Sequence, residues 1–525
     1  MLKWSVASAR SAPHVNPHQL SLPLDEFLAR GHGPGIPRPR RIFCNRNLRM
    51  ATIAWVGFDM DYTLAIYKQR EMDELSIRAT IDKLVARGYP EFIRSIPYST
   101  DFPVRGLLID KRFGHVLKMN RYKHVTKGYH GMHELDKDEL RHLYHSKKIR
   151  PATPRYHWID TLYALSEASL YAALIDALEQ RRFTVDYAKT FTDIRESIDE
   201  AHRDGTILEA VLADLPRFIA KDRELAPTLH KLRSAGKKLF LLTNSRWAYT
   251  DKMMTHLLEG EMAEYPHWRN YFDVVIVAAT KPAFFQDTRP LLEHVAADGA
   301  PPVPAAFPLE RGKVYEGGNL VDLERGLGVT GDQVLYVGDH IYGDILRSKK
   351  ESAWRTAMII QELEGEMIAH ESCREDYASA EGLADHRDRL EDELRFYQAR
   401  FRELSRRIEQ AHGRDHAHGK ANGAAGGNGA DQAEIERTRT KRAIERVRGR
   451  LRHVDEELAA IERRVDQRFH PFWGSLLKEE NEQSIFGAQV EEYACVYTAR
   501  VSDFLLYSPL QFFRSPRAEM PHELG

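Results

Sequence analysis

Short apolar, β-branched runs punctuate the first two thirds of the chain, at Ala51–Phe58, Lys238–Leu242, Phe272–Ala278 and Gln333–Val337, and stretches of helical periodicity fall between them. Runs this short, bounded by polar residues, predict buried strands. Strands alternating with helices predict an α/β fold built on a doubly wound parallel sheet, in which a ligand binds beyond the carboxyl ends of the strands. Chemistry is therefore expected in the residues that follow each run.

Other patterns divide the rest of the chain. A long insertion from about Gly106 to Leu208, with a hairpin-like start at Leu107–Val125 followed by helices, is too large for a crossover and predicts a cap between the first and second strands. Beyond residue 370, Leu390, Leu394, Tyr397, Phe401, Leu404 and Ile408 are spaced 4, 3, 4, 3, 4, and Ile444, Val447, Leu451, Val454, Leu458, Ile461 and Val465 continue the spacing. Such heptad seams predict an antiparallel helical hairpin over 386–467, with a mobile tip in the Gly-rich stretch 413–431. The domain plan is an extended Pro-, Gly- and Arg-rich arm (1–50), a core in two parts (51–105 and 209–370), the cap (106–208) and a C-terminal helical region (371–525).

With 525 residues the chain has ample length for a buried core, and 42% hydrophobic and 10% aromatic content fit a folded protein. Its 76 Lys+Arg against 77 Asp+Glu leave a net charge of −1, so no overall field draws it to nucleic acid or anionic lipid. Cys44, Cys373 and Cys495 form neither a disulfide framework nor a metal knuckle, which points to a reducing cytosol. The first residues, Met1–Leu24, hold no continuous apolar stretch, and no apolar run is long enough to span a bilayer, so neither secretion nor a membrane partner is expected. The hairpin mixes Arg437, Arg439, Arg446 and Arg450 with Glu434, Glu436, Glu445 and Glu456, a solvated surface rather than a nucleic-acid face. It is expected to serve the chain internally or to form a homo-oligomer, a dimer or tetramer.

Where the first run ends, Asp59-Met60-Asp61 sets two carboxylates two residues apart. In extended chain such residues project to one side about 6.6 Å apart, with room for a tetrahedral phosphorus between them. Asp59 is placed to attack and form an aspartyl phosphate, Asp61 to protonate the leaving oxygen and then activate water. A carboxylate attacking a phosphate dianion needs a divalent cation and a fixed ammonium nearby.

The later strand ends supply them. Thr243, Asn244 and Ser245 follow the second strand as hydrogen-bond donors for phosphate oxygens, Lys281 follows the third as the ammonium, and Asp339 and Asp344 follow the fourth as hard oxygen ligands for Mg²⁺. Each motif alone also occurs in turns and caps; their order along successive strands singles them out.

These residues resemble the haloacid-dehalogenase-like phosphatase superfamily, and within it the cytosolic purine 5′-nucleotidases. The likeness rests on Phe58-Asp59-Met60-Asp61-Tyr62-Thr63-Leu64-Ala65, Thr243-Asn244-Ser245, Lys281-Pro282, Gly338-Asp339-His340-Ile341-Tyr342-Gly343-Asp344 and Met520-Pro521-His522-Glu523. It implies a cytoplasmic, Mg²⁺-dependent hydrolase of purine nucleoside monophosphates of the IMP and GMP type, with phosphate transfer to nucleosides as a second activity. By the same likeness Asp59, Asp339 and the backbone carbonyl of Asp61 bind the metal with Asp344 in support, and Thr243, Asn244, Ser245 and Lys281 hold the phosphate.

In the cap, the resemblance makes Arg195 and Asp199, four residues apart on one helical face, a donor fork and an acceptor for the base, and makes His202 and Tyr163 stacking partners. Leu208 stands where vertebrate enzymes carry a lysine, and the chain has no long acidic tail after His522. Three other readings compete: a phosphatase of the same fold acting on another phosphomonoester, a dehalogenase, which has no use for Asp61, and a non-catalytic coiled-coil protein with a vestigial core, against which the intact acids and Lys281 argue.

Overall fold

A computed structural model of the chain describes residues 35–145, 149–294, 301–417, 427–517, 520 and 523. Its core is a ten-stranded sheet in the spatial order Phe43–Cys44, Val496–Thr498, Arg355–Ile359, Val334–Gly338, Trp55–Phe58, Lys238–Leu242, Val274–Val277, Val314–Gly317, Leu291–Glu293, Val303–Pro304. Strands from Val496–Thr498 through Val314–Gly317 run parallel, and antiparallel partners close both edges. This is the expected doubly wound α/β architecture. Alternate side chains feed two separate cores: Val56, Phe58, Leu239 and Leu241 on one face, Trp55, Phe240, Leu242 and Tyr336 on the other. Burial on both faces is why these strands read as continuous apolar runs. Gly57 is required at the centre, because a Cβ there would collide with the Phe240 ring.

The strand expected over Ala51–Phe58 begins only at Trp55, since Met50–Thr52 close a 3-10 turn instead. Residues 43–50, read as part of an extended arm, are stitched into the core: Phe43 and Cys44 pair with Tyr497 and Val496, and Leu48 and Arg49 with Phe513 and Phe512. The C-terminal region likewise returns a strand, Val496–Thr498, to the sheet. Strands of two or three residues are too short to leave a periodic signal. Residues 1–34 of the proposed arm lie outside the described residues.

The cap is wider than 106–208. Ile66 and Tyr67 pair antiparallel with Ala220 and Ile219, so the chain leaves and re-enters the core at one two-stranded ribbon, and the insertion runs from Lys68 to Phe218. Helix Gln69–Ala86, which resembles a crossover helix in sequence, packs against Leu165–Gln180 and Tyr187–Arg203. A five-stranded antiparallel sheet, in the order His133–Glu134, Val125–His130, His115–Met119, Leu107–Asp110, Tyr156–Ile159, completes the cap.

Helices Arg374–Ala417 and Gly427–Phe469 form the hairpin and extend beyond 386–467 at its base. The pairs Asp376–Arg464, Glu393–Arg450 and Arg400–Glu436 step in opposite directions along the two helices, which makes them antiparallel. Leu390, Val447 and Val454 pack between them. Of the Gly-rich tip, 418–426 lie outside the described residues. No described helix is long and apolar enough to cross a membrane.

Candidate active site

Strands Val334–Gly338, Trp55–Phe58, Lys238–Leu242 and Val274–Val277 are immediate neighbours, so the motifs met in the order one to four along the chain stand in the order four, one, two, three across the sheet edge. The loops beyond them are tied together. Ala279 N donates to Thr243 O and Ala278 N to Ser245 O, while Asn244 Nδ2 donates to Lys281 O at 2.9 Å and Lys281 N to Asn244 Oδ1 at 2.6 Å. Tyr62, Ala278 and Thr280 adopt positive φ of 55°, 48° and 59°. Backbone strain at non-glycine residues of this kind costs on the order of 1–3 kcal/mol each and persists where surrounding structure enforces it.

Lys281 is buried against the central acids. Its Nζ stands 2.9 Å from Asp59 Oδ1 and 2.7 Å from Asp344 Oδ1, and donates to Tyr336 Oη at 2.9 Å. All three ammonium protons are thereby engaged within the protein. Burial disfavours the charge on Lys281, but Asp344 and Asp59 outweigh it and hold the ammonium well above its ordinary range. Asn244, expected to donate to phosphate, spends its amide on the Lys281 peptide instead and so acts on the position of Lys281.

Asp61 accepts at both oxygens: Tyr67 Oη donates to Oδ1 at 2.6 Å and Ser245 Oγ to Oδ2 at 2.8 Å. Thr243 is fully buried, and its Oγ1 accepts from Ser245 N at 3.1 Å, which fixes the turn that carries Ser245. Burial pushes Asp61 up, against the Tyr67 and Ser245 hydrogen bonds.

Ligand atoms of Asp59, Asp339 and Asp344 lie within 4.8 Å of one another. Oxygens around Mg²⁺ at about 2.1 Å stand about 3.0 Å apart when adjacent and about 4.2 Å when opposite, so these three carboxylates would seat one hard cation by closing toward it. The electrostatics favour that fit. Burial, with Asp344, Asp61 and Asp339 adding to it against Lys281, drives Asp59 well above the carboxylate range, and burial beside Asp344 pushes Asp339 up to about 7. Three buried carboxylates and the half-buried Asp61 against one ammonium leave an excess of negative charge that a divalent ion offsets. Arg105, wholly buried, donates from Nη1 to the Asp339 carbonyl at 2.9 Å and pairs with Glu362, holding this loop from the start of the cap sheet.

Between cap and core lies a cavity of about 570 Å³. Arg195, Asp199, His202, Tyr163 and Leu208 line it from the cap, Ser245 and Tyr249 from the core. Tyr163 lies in a 3-10 turn and is 38% exposed, its ring edge-on to His202 at 6.1 Å and to Tyr62 at 4.7 Å. Arg195 pairs with Glu167: Nη1 reaches the two carboxylate oxygens at 2.9 and 3.1 Å. Burial pushes Glu167 up to about 7 against that arginine. Asp199 makes no hydrogen bond among the described residues, which leaves it an open acceptor on the cavity wall. His340 Nε2 stands 3.5 Å from Asp160 Oδ2, linking the loop that carries Asp339 to the cavity rim.

Tyr67, Tyr249, Tyr336, Arg105 and Glu167 were not singled out in the sequence. Each sits in or beside an ordinary apolar run, where a tyrosine or a lone charge carries no pattern of its own. Pro521 and His522, part of the last motif, lie outside the described residues.

A 5′-nucleotidase domain-containing protein of Dictyostelium discoideum is 27% identical over 496 residues, covering 92% of this chain and 75% of that protein. The human 5′-nucleotidase domain-containing protein 2 is 32% identical over 340 residues, 63% of this chain and 64% of its own length. The match thus spans under two thirds of that human protein. Among solved structures, CbbY from Rhodobacter sphaeroides in complex with phosphate aligns at 14% identity and a TM-score of 0.22 over 58% of this chain and 86% of its own. The HAD-hydrolase YfnB from Bacillus subtilis, bound to magnesium, aligns at 9% identity and a TM-score of 0.21, over 58% and 86%. The model of the 5′-nucleotidase family matches residues 42–525, nearly the whole chain, and the chain belongs to that family.

Proposed function

We propose that the chain is a Mg²⁺-dependent 5′-nucleotidase that hydrolyses purine nucleoside monophosphates through an aspartyl phosphate on Asp59. The observation that carries the reading is one hydrogen bond: Ser245, on the wall of the cap cavity, donates to Asp61 Oδ2, so a nucleoside held in the cavity has its 5′ oxygen delivered to the acid.

A carboxylate oxygen of Asp59 attacks phosphorus as the bond to the 5′ oxygen breaks, and that oxygen takes the proton of Asp61. Asp61, now ionised, takes a proton from the water that cleaves the acyl phosphate and is restored. Asp59, Asp339 and Asp344 would hold the cation, which supplies charge neutralisation for the approach of a carboxylate to a phosphate dianion. Lys281 aims Asp59 and draws its pKa down against the burial that raises it, and Ser245 with the Thr243 turn orients phosphate oxygens. In the cavity the free edge of Arg195 and the open carboxylate of Asp199 match the carbonyl and ring N–H of a hypoxanthine or guanine, with Tyr163 and His202 at its faces.

The test is phosphate release by the full chain over a panel of nucleoside 5′-monophosphates, with Mg²⁺ and with a chelator. Turnover of IMP and GMP that stops with the chelator is expected. Turnover that ignores the chelator, or that favours a sugar phosphate over every nucleotide, contradicts it.

A further inference from the structure

Two tyrosines outside the mechanism so far connect the cavity with the acid. Tyr67 Oη donates to Asp61 Oδ1 at 2.6 Å, and Tyr249 Oη stands 2.8 Å from Tyr67 Oη. A phenol has one proton, and that of Tyr67 is spent on Asp61, so Tyr249 is the donor in the second contact. The chain of hydrogen bonds runs Tyr249 to Tyr67 to Asp61. Both tyrosines are buried, Tyr67 at 3% and Tyr249 at 8% exposure, so water does not substitute for either partner.

The positions of the two rings matter as much as their hydroxyls. Tyr67 lies in the ribbon through which the chain enters the cap, paired with Ile219. Tyr249 opens the helix that follows Ser245 and lines the cavity. The Tyr67 ring packs tilted against Tyr62 at 4.7 Å, and Tyr62 in turn meets Tyr163 on the cavity wall. The cap entrance, the cavity and the acid are therefore held in one packed aromatic cluster.

We propose that Tyr67, supported by Tyr249, is a positioning residue that commits the acid proton of Asp61 to Oδ2, the oxygen facing Ser245 and the cavity. With Oδ1 occupied by a donor, a proton on the carboxyl group sits on Oδ2, and Ser245 Oγ, which donates there when Asp61 is ionised, turns to accept or to meet phosphate. As the bond from phosphorus to the ester oxygen breaks, its electron pair goes to that oxygen, which takes the proton from Oδ2. The charge left on Asp61 is met at Oδ1 by the Tyr67 hydroxyl. Neither tyrosine gains or loses a proton.

The inference rests on the phosphomonoesterase reading and predicts a dependence on the leaving group. A nitrophenolate leaves without a proton, whereas an alkoxide needs one. The experiment measures kcat/KM, which covers the steps up to the acyl phosphate, for the full chain and for Tyr67→Phe and Tyr249→Phe, on p-nitrophenyl phosphate and on an alkyl ester. The alkyl ester is IMP or, where no nucleotide is turned over, glycerol 2-phosphate. General acids contribute about 10²–10⁴-fold, and the share due to orientation is expected to appear as a loss of about 30-fold on the alkyl ester in Tyr67→Phe, with the aryl ester changed by about threefold or less. Tyr249→Phe should move the same way by about fivefold.

Equal losses on the two esters, or no loss on the alkyl ester, overturn the inference. If Tyr67→Phe shows no cooperative melting transition, Tyr249→Phe decides by the same criterion. Wild-type turnover of glycerol 2-phosphate but of no nucleotide defeats the nucleotide reading alone, and wild-type turnover of no ester defeats both.

Discussion

Lys281 Nζ lies 2.9 Å from Oδ1 of Asp59, the carboxylate at the end of the central strand. The pair is buried, with Asp344 on the other side of the ammonium at 2.7 Å. Removing one member of a buried ion pair leaves an uncompensated charge, at a cost of about 3–5 kcal/mol. Lys281→Met should therefore lower stability by about that amount in urea unfolding, as well as abolishing turnover. A variant as stable as wild type would mean that Lys281 is not what keeps Asp59 and Asp344 together.

Arg195 reaches the cavity from a carboxylate, Glu167, that is 4% exposed. Loss of a charge-assisted contact to the base costs about 1.5–3 kcal/mol, or roughly 10-fold to 100-fold in kcat/KM. Arg195→Ala and Asp199→Ala should show that loss on IMP and much less on p-nitrophenyl phosphate, which has no purine edge to read. Equal losses on both substrates would argue that the two residues shape the cap and do not read a base.

Asp73, on the helix that opens the cap, is 3% exposed, and burial pushes it up to about 8 against a hydrogen bond from Gln69. An acid whose folded-state pKa is raised binds more protons folded than unfolded, so its contribution to stability falls as pH rises from its ordinary value near 4 to about 8. Asp73→Asn removes that dependence. The melting temperature of wild type should drop more steeply than that of the variant between about pH 5 and about pH 8.5, across that window; parallel curves would contradict the assignment.

Leu390 is 1% exposed in the seam of the hairpin, packed with Val447 and Val454. Leu390→Ala should cost about 2–4 kcal/mol of stability through the cavity it opens. Phosphate release at temperatures where the core is folded should be unaffected. A loss of turnover there would make the hairpin a support for the catalytic edge.

The core was legible because its strands are covered on both faces and followed by charge. Lys238–Leu242 stands as expected, and Asp59, Asp61, Lys281, Asp339 and Asp344 meet at one sheet edge because parallel strands deliver their successors there. What escaped was set by long-range pairing. The ribbon of Ile66–Tyr67 with Ile219–Ala220 moves the cap boundary, yet two residues at each end carry no periodicity. Glu167, which holds Arg195, is 28 residues away on another helix, and no spacing along the chain links the two. Asn244 reads as a donor for phosphate until the neighbouring loop folds onto its amide.

The central claim is that Asp59 carries the phosphoryl group. Its most direct test is to acid-quench the full chain during turnover of radiolabelled nucleoside monophosphate and map the labelled peptide. Label on Asp59, absent from Asp59→Asn, is predicted; steady turnover with no label on the protein, or with label on another residue, would contradict it.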